Sequence, residues 1–186
     1  MLDVQLFEGE HIRFDSIDAE KDAETIAKWT HDPEYLRLTQ PEPARPLAPG
    51  QMKKKLEEQA KKADSEKNQF HFAVRLKSDD RLIGLASVPW VNWSHASGAI
   101  ALSIGQPEDR GRGYGWQMLR MLLRYAFDEL NLHRVGAQTF EYNAGALRFL
   151  ERAGFVVEVR RRQAIHRDGR RWDLLMLGLL REEWKR

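Results

Sequence analysis

The sequence predicts a mixed α/β (α+β) fold, a sheet with helices packed on its faces, and three observations carry that prediction. Hydrophobic spacing switches repeatedly between strand-like alternation and helical periodicity. The patterns succeed one another as ββ–α–β–α–ββ, centred on one strand–helix–strand unit. With 186 residues, 42% of them hydrophobic and none of them cysteine, the chain can bury a core without disulfide or metal staples. One domain over 1–186 is the expectation.

Taken in order, a first strand is expected at His11 to Phe14. The run SIDAEKDAETIAKWTHDPEYL then reads as a capped helix with Ile26 and Trp29 on one face, stopping near Asp32-Pro33. PEPARPLAPG, Pro41 to Gly50, holds four prolines. Proline lacks an N–H and fixes φ, so this segment is a semi-rigid loop joining two helices, and its length places it beside a binding cleft. QMKKKLEEQAKKAD is a helix with a charged outer face. QFHFAVRLK alternates, DD supplies a turn, RLIGLASVPWV alternates again, and SGAIALSIG makes a third strand antiparallel to its predecessor. Apolar residues recur at helical spacing from Tyr114 to Leu130, and NLHRVGAQTF returns to strand. NAGALRFLERAG is a helix with Asn143 as N-cap and Gly154 as a left-handed C-terminal cap. Asp-Gly within RDGR joins FVVEVRRRQAIH to RRWDLLMLGLL as a hairpin.

Bulk properties narrow the function. The formal charge is +2 with 30 basic and 28 acidic residues, which accommodates an anionic ligand but falls short of a dedicated nucleic-acid binder. The basic run Arg160, Arg161, Arg162 reads as alternating, solvated strand residues. No run approaches a membrane span and the N-terminus lacks signal-peptide character, so a cytoplasmic protein without a membrane partner is expected. The absence of cysteine removes a thiolate nucleophile and every sulfur-based zinc site. The six histidines never fall at metal-ligand spacing, so no metal is expected.

The chemistry concentrates in QPEDRGRGYGW, Gln106 to Trp116, where three glycines alternate between a strand and a helix. Each interior glycine costs a helix about 0.5–1 kcal/mol against alanine, so their value lies elsewhere. The first N–H groups of a helix have no internal partner and attract anions. Gly111, Gly113 and Gly115 let that backbone approach a phosphate, and Arg110 and Arg112 add charge. A diphosphate fits such a cradle. A dinucleotide fingerprint would require G-x-G-x-x-G and a triphosphate P-loop would require G-K-[ST], whereas the chain reads G-x-G-x-G. A flexible turn of no function is the bland alternative.

R-G-R-G-Y-G matches the Q/R-x-x-G-x-G/A signature of the GNAT acyltransferases. The stretches IGQPEDRGRGYGWQMLRMLLRYAFDELNLHRV, EYNAGALRFLERAGF and RDGRRWDLLMLGLLREEW resemble successive segments of that family, especially the branch of ribosomal-protein N-terminal and spermidine acetyltransferases. The resemblance implies a GNAT-like, mostly antiparallel sheet of about six to seven strands flanked by about four helices. It implies acetyl-CoA as cosubstrate, its diphosphate on residues 110–115, Tyr114 included, and its pantetheine arm beside the strand ending at Ser103, Ile104 and Gly105. A bulge there would splay that strand from the next and aim an N–H at the thioester oxygen. Asn143 would contact the cofactor arm as well as cap its helix. The family's frequent tyrosine seven positions later, a proton donor to the departing thiolate, is Leu150 here. The incoming amine must lose a proton, and Glu141 at a strand end and His95 between two strands are the candidate catalytic bases. Trp90 and Trp93 are candidate walls of the acceptor pocket. The implied activity is acetyl transfer to a primary amine, a protein or peptide N-terminus or a small amine, with homodimerisation expected. A non-catalytic acyl-CoA-binding module and a polyamine or antibiotic acetyltransferase are the alternatives.

Overall fold

A computed structural model describes residues 5–184. Seven strands form one sheet: β1 (Ile12–Asp15), β2 (Phe70–Leu76), β3 (Leu82–Asn92), β4 (Ser97–Ile104), β5 (Arg134–Phe140), β6 (Val156–Arg167) and β7 (Arg170–Leu180). Their spatial order is β1-β2-β3-β4-β5-β7-β6, and every neighbouring pair is antiparallel except β4 and β5. Five α-helices cover it: α1 (Ala19–Trp29), α2 (Pro33–Thr39), α3 (Pro49–Glu66), α4 (Tyr114–Arg124) and α5 (Ala144–Arg152). The fold is the mixed, mostly antiparallel α/β arrangement expected, with one helix more.

The extra helix comes from Asp32-Pro33, which the sequence marks as a stop. α1 ends at Trp29, and Asp32 then caps a second helix through Oδ1, accepting from Glu34 N at 2.9 Å, with proline in the first turn where no N–H is needed. Pro49 and Gly50, assigned to the loop, likewise form the first turn of α3. The long helix expected from Tyr114 to Leu130 is α-helical only as far as Arg124 and continues as a π-helical turn over Tyr125–Glu129.

Alternation along the strands divides the core between the two faces. Val74, Ile83, Ile100 and Leu175 pack with Met118, Leu119, Leu122 and Leu150 from α4 and α5. Ala73 and Leu82 pack on the other face with Ile26, Trp29, Leu36, Met52 and Leu56 from α1, α2 and α3. The β6–β7 hairpin turns at Asp168 and Gly169, both at positive φ (52° and 69°), the geometry that Asp-Gly supplies.

Candidate active site

The site begins where the sheet opens. Parallel strands β4 and β5 pair only through Ser97↔Arg134, Gly98↔Val135 and Ala99↔Gly136. Beyond these, β4 continues to Ile104 beside β3 alone, while β5 stays with β7. A slot therefore opens toward the C-terminal ends of both strands. The bulge expected to cause this splay lies in the β3–β4 ladder instead, between Ser87 and Trp90, where Pro89 has no N–H to donate.

The register also sorts the strand-end amides. Gly105 N–H donates to Ile83 O at 2.9 Å, and antiparallel alternation directs Ser103 toward β3 as well. The peptide groups of Leu102 and Ile104 face the slot. Of the three residues expected along a cofactor arm, only Ile104 thus offers a free amide. The Ser103 hydroxyl pairs with Tyr35 Oη at 3.1 Å on the α2 side, and burial pushes the Tyr35 phenol up. Gly105 is a packing glycine: a Cβ there would run into the Trp29 indole.

Across the mouth of the slot stands the N-terminus of α4. Gly111 and Gly113 adopt φ of +73° and +84°, conformations that L side chains resist, with open space where a Cβ would be. Gly113 is the N-cap and supplies no side-chain cap, so the first amides of α4, those of Tyr114 and Gly115, have no acceptor among the described residues. Gly115 itself is helical and backs onto Ile104 and Phe149. Tyr114 contributes its amide, its ring being packed on the core. The loop is anchored from behind by Asp109, buried and gripped at both oxygens by Arg81 (2.7 and 2.9 Å), a hydrogen-bonded pairing that holds its carboxyl below the usual range. That anchor has no signature in the sequence, because the partners lie 28 residues apart.

These groups form one wall of a cleft of about 780 Å3 lined by Ile104, Arg110, Gly111, Gly113, Gly115, Trp116 and, from α5, Gly145, Arg148, Phe149 and Arg152. The α5 residues escaped the sequence reading. Their signal is the i, i+4 spacing of Arg148 and Arg152 after the Asn143 cap. The two arginines of the glycine turn behave differently from expectation. Arg110 folds back, donating to Gly105 O at 3.2 Å and pairing with Asp32 and Glu34, and Arg112 is exposed outside the cleft lining.

Asn143 is committed at both ends: Oδ1 accepts from Ala146 N (3.1 Å) as N-cap, and Nδ2 donates to Leu38 O (3.4 Å), tying α5 to α2. Glu141 turns away from the slot toward β7, accepting from the Asp173 amide (3.0 Å) and pairing with Arg160 (3.3 Å). It is a link in a hairpin network and is not among the residues that line the cleft at the glycine turn. His95 is exposed in the 3-10 turn before β4, so it stands a strand length, roughly 25 Å, from the glycine turn. Trp90 and Trp93 share that far end, with Trp93 edge-on to Phe70. None of these three reaches the cleft. Leu150 is buried in the core, so no hydroxyl replaces the missing tyrosine there.

Comparison with known proteins agrees with this architecture. The spermidine N-acetyltransferase of Vibrio cholerae, solved in complex with CoA and spermine, superposes with a TM-score of 0.80 at 23% identity over 94% of this chain and 98% of that one. RimL, a ribosomal L7/L12 alpha-N-protein acetyltransferase solved in complex with coenzyme A, superposes with a TM-score of 0.79 at 13% identity over 92% and 95%. At those identities the likeness establishes the fold. In sequence, the SPbeta prophage-derived uncharacterized N-acetyltransferase YokL of Bacillus subtilis (strain 168) is 28% identical over 140 residues, 75% of each chain. The family model for the acetyltransferase (GNAT) domain matches residues 12–156. With a splayed β4–β5 pair, a glycine turn at its mouth and that match across most of its length, the chain belongs to the GNAT family and is an acetyl-transferring enzyme.

Proposed function

We propose that the protein transfers an acetyl group from acetyl-CoA to a primary amine, a protein or peptide N-terminus or a small amine, by direct attack within a ternary complex. The observation that carries this reading is the uncapped N-terminus of α4, preceded by two left-handed glycines, at the open end of the β4–β5 slot. The residues fit the cosubstrate. The Tyr114 and Gly115 amides meet a diphosphate, and the Leu102 and Ile104 peptide groups extend strand-like pairing to the amides of a pantetheine arm.

Acetyl-CoA supplies the acetyl group as a thioester. With no cysteine in the chain, the amine takes the acyl group without a cysteinyl acyl-enzyme. Leu150 offers no proton to the departing thiolate, and a thiol pKa of about 8.5 lets it leave unaided.

The test is calorimetric titration with acetyl-CoA, followed by single-turnover mixing with labelled acetyl-CoA. Gly113→Val should weaken binding at least tenfold by strain at positive φ and by a side chain standing before the phosphate. Undiminished affinity would sink the cradle assignment, and label covalently trapped on the protein without acceptor would sink direct transfer.

A further inference from the structure

The β6–β7 hairpin carries more positive charge than its carboxylates balance. Asp173 and Glu141 pair with Arg160, Asp168 with Arg37 and Glu158 with Arg134. Among the described residues no ion pair reaches Arg161, Arg162, Arg170 or Arg171, all of them exposed. The register also sets Arg167 directly opposite Arg170, a like-charge pairing that destabilises a ladder. The excess has a direction. Alternation puts Arg170, Trp172, Leu174 and Met176 on one face of β7, and the register carries that face to Arg161 on β6, opposite Leu174, and to Gln138 and Phe140 on β5. It is the face turned away from α4 and α5, with which Leu175 and Leu177 pack. Between β4 and β7 it is bare: Ala101, Gln138 and Met176 are exposed. Phe140 is the last residue of β5, so Arg161 stands two strand spacings, about 10 Å, from the strand end at which the slot opens. Both cations on this face are set in place. The Arg170 guanidinium lies over the Trp172 ring at 4.4 Å, which leaves its in-plane N–H groups unspent, and the bulge after Arg161 is fixed by the Gln163 amide donating to Asp173 Oδ1 at 2.8 Å.

Resting on the reading above, we propose that the bare face across β4, β5 and β7 docks an acceptor polypeptide with acidic side chains close behind its amino terminus, the carboxylates pairing with Arg161 and Arg170 while the terminal amine enters the slot. Guanidinium–carboxylate pairing is planar and charge-assisted, and these two guanidinia have no carboxylate of their own. The slot and the two arginines are two to three strand spacings apart, about 10–15 Å, which three to five extended residues span. The acidic side chains therefore belong at the third to fifth positions of the acceptor. A polyamine, positive along its whole length, meets the same arginines as repulsion.

Two peptides of otherwise identical sequence test this, each with a free amino terminus and with either Asp and Glu or Asn and Gln at the third to fifth positions. Binding is read by fluorescence anisotropy without cosubstrate, and acetyl transfer by kcat and KM. The acidic peptide should bind about tenfold more tightly and show a KM lower by the same factor, with kcat shared by both and the gap closing as salt is raised. Arg161→Glu combined with Arg170→Glu should reverse the order in favour of a peptide with lysines at those positions, a reversal that a damaged fold cannot produce. Arg171→Glu, on the opposite face of β7, should keep the wild-type order. A wild type indifferent to the acidic side chains would overturn the proposal. So would an Arg171→Glu variant that reverses the order as well, which would assign the preference to bulk charge, or a single-stranded RNA that binds more tightly than the acidic peptide. Acidic-peptide binding by a protein that does not bind acetyl-CoA would strike the proposed function and leave the docking face standing.

Discussion

Two side-chain contacts govern where the glycine turn sits. Gly105 ends β4 against Trp29, whose ring occupies the space a Cβ would need. Gly105→Ala must displace either a buried indole or the strand end, and an overpacked core site of this kind costs about 1–3 kcal/mol. Urea denaturation should show that loss, together with weaker acetyl-CoA binding because the turn shifts with the strand. The second contact is Arg81 with Asp109, which is buried. Hydrogen bonding to Arg81 lowers the Asp109 pKa from 3.8, so its contribution to stability is present above that value and is lost as pH falls through the depressed one. Arg81→Met leaves a buried carboxylate without its partner, at a cost of about 2 kcal/mol near neutral pH. The gap between variant and wild type should narrow on acidification below about pH 4, as Asp109 protonates in both; a gap constant with pH would assign the loss to packing.

Local chemistry explains which elements are legible in the sequence. Asp168-Gly169 and Gly111-x-Gly113 need positive φ, and only a few residue types tolerate it, so hairpin and cradle stand out in one sequence. Asp32-Pro33 is ambiguous for a physical reason, since the same pair that stops one helix caps and opens the next. The π-helical turn is masked because the apolar periodicity around it is helical. Burial leaves no trace of it either, since Tyr125, Ala126 and Phe127 are all buried but so are Met121, Leu122 and Leu123 in the α-helical part. Placement within the site was the least legible. Whether Glu141 faces the slot depends on β7 lying against β5, and whether His95 reaches it depends on which end of β4 carries the glycine turn. Asn143 was legible as a cap, and its second bond to Leu38 was not. Asn143→Ala should therefore cost about 1 kcal/mol in chemical denaturation. Asn143→Asp keeps the cap oxygen but loses the donor, so it should recover most of that stability while leaving the α2 end loosened.

At the scale of the whole molecule, three segments distant in sequence meet beyond the C-terminal end of β5, and Arg167 joins them. From the hairpin it donates to Arg37 O (2.8 Å), Pro41 O (3.3 Å), Glu42 O (3.2 Å) and Tyr142 Oη (2.9 Å), while Tyr142 Oη donates to Arg37 O at 2.7 Å. Arg37 returns the link by pairing with Asp168 at 3.2 Å. The proline-rich segment cannot hold itself by a backbone ladder, because its prolines lack N–H groups. Its carbonyls need an external donor, and a guanidinium supplies five N–H groups in one plane. The far end of the loop is fixed separately, Leu47 N donating to Thr30 Oγ1 at 2.8 Å. Removing Arg167 should release the near end alone. In Arg167→Ala, hydrogen exchange of the amides in 38–45 should rise at least tenfold, with global stability lowered by only about 1 kcal/mol because the contacts are surface ones. Arg167→Lys, a point charge with fewer donors, should fall between. If exchange stays at wild-type rates, proline stiffness rather than the arginine holds the loop.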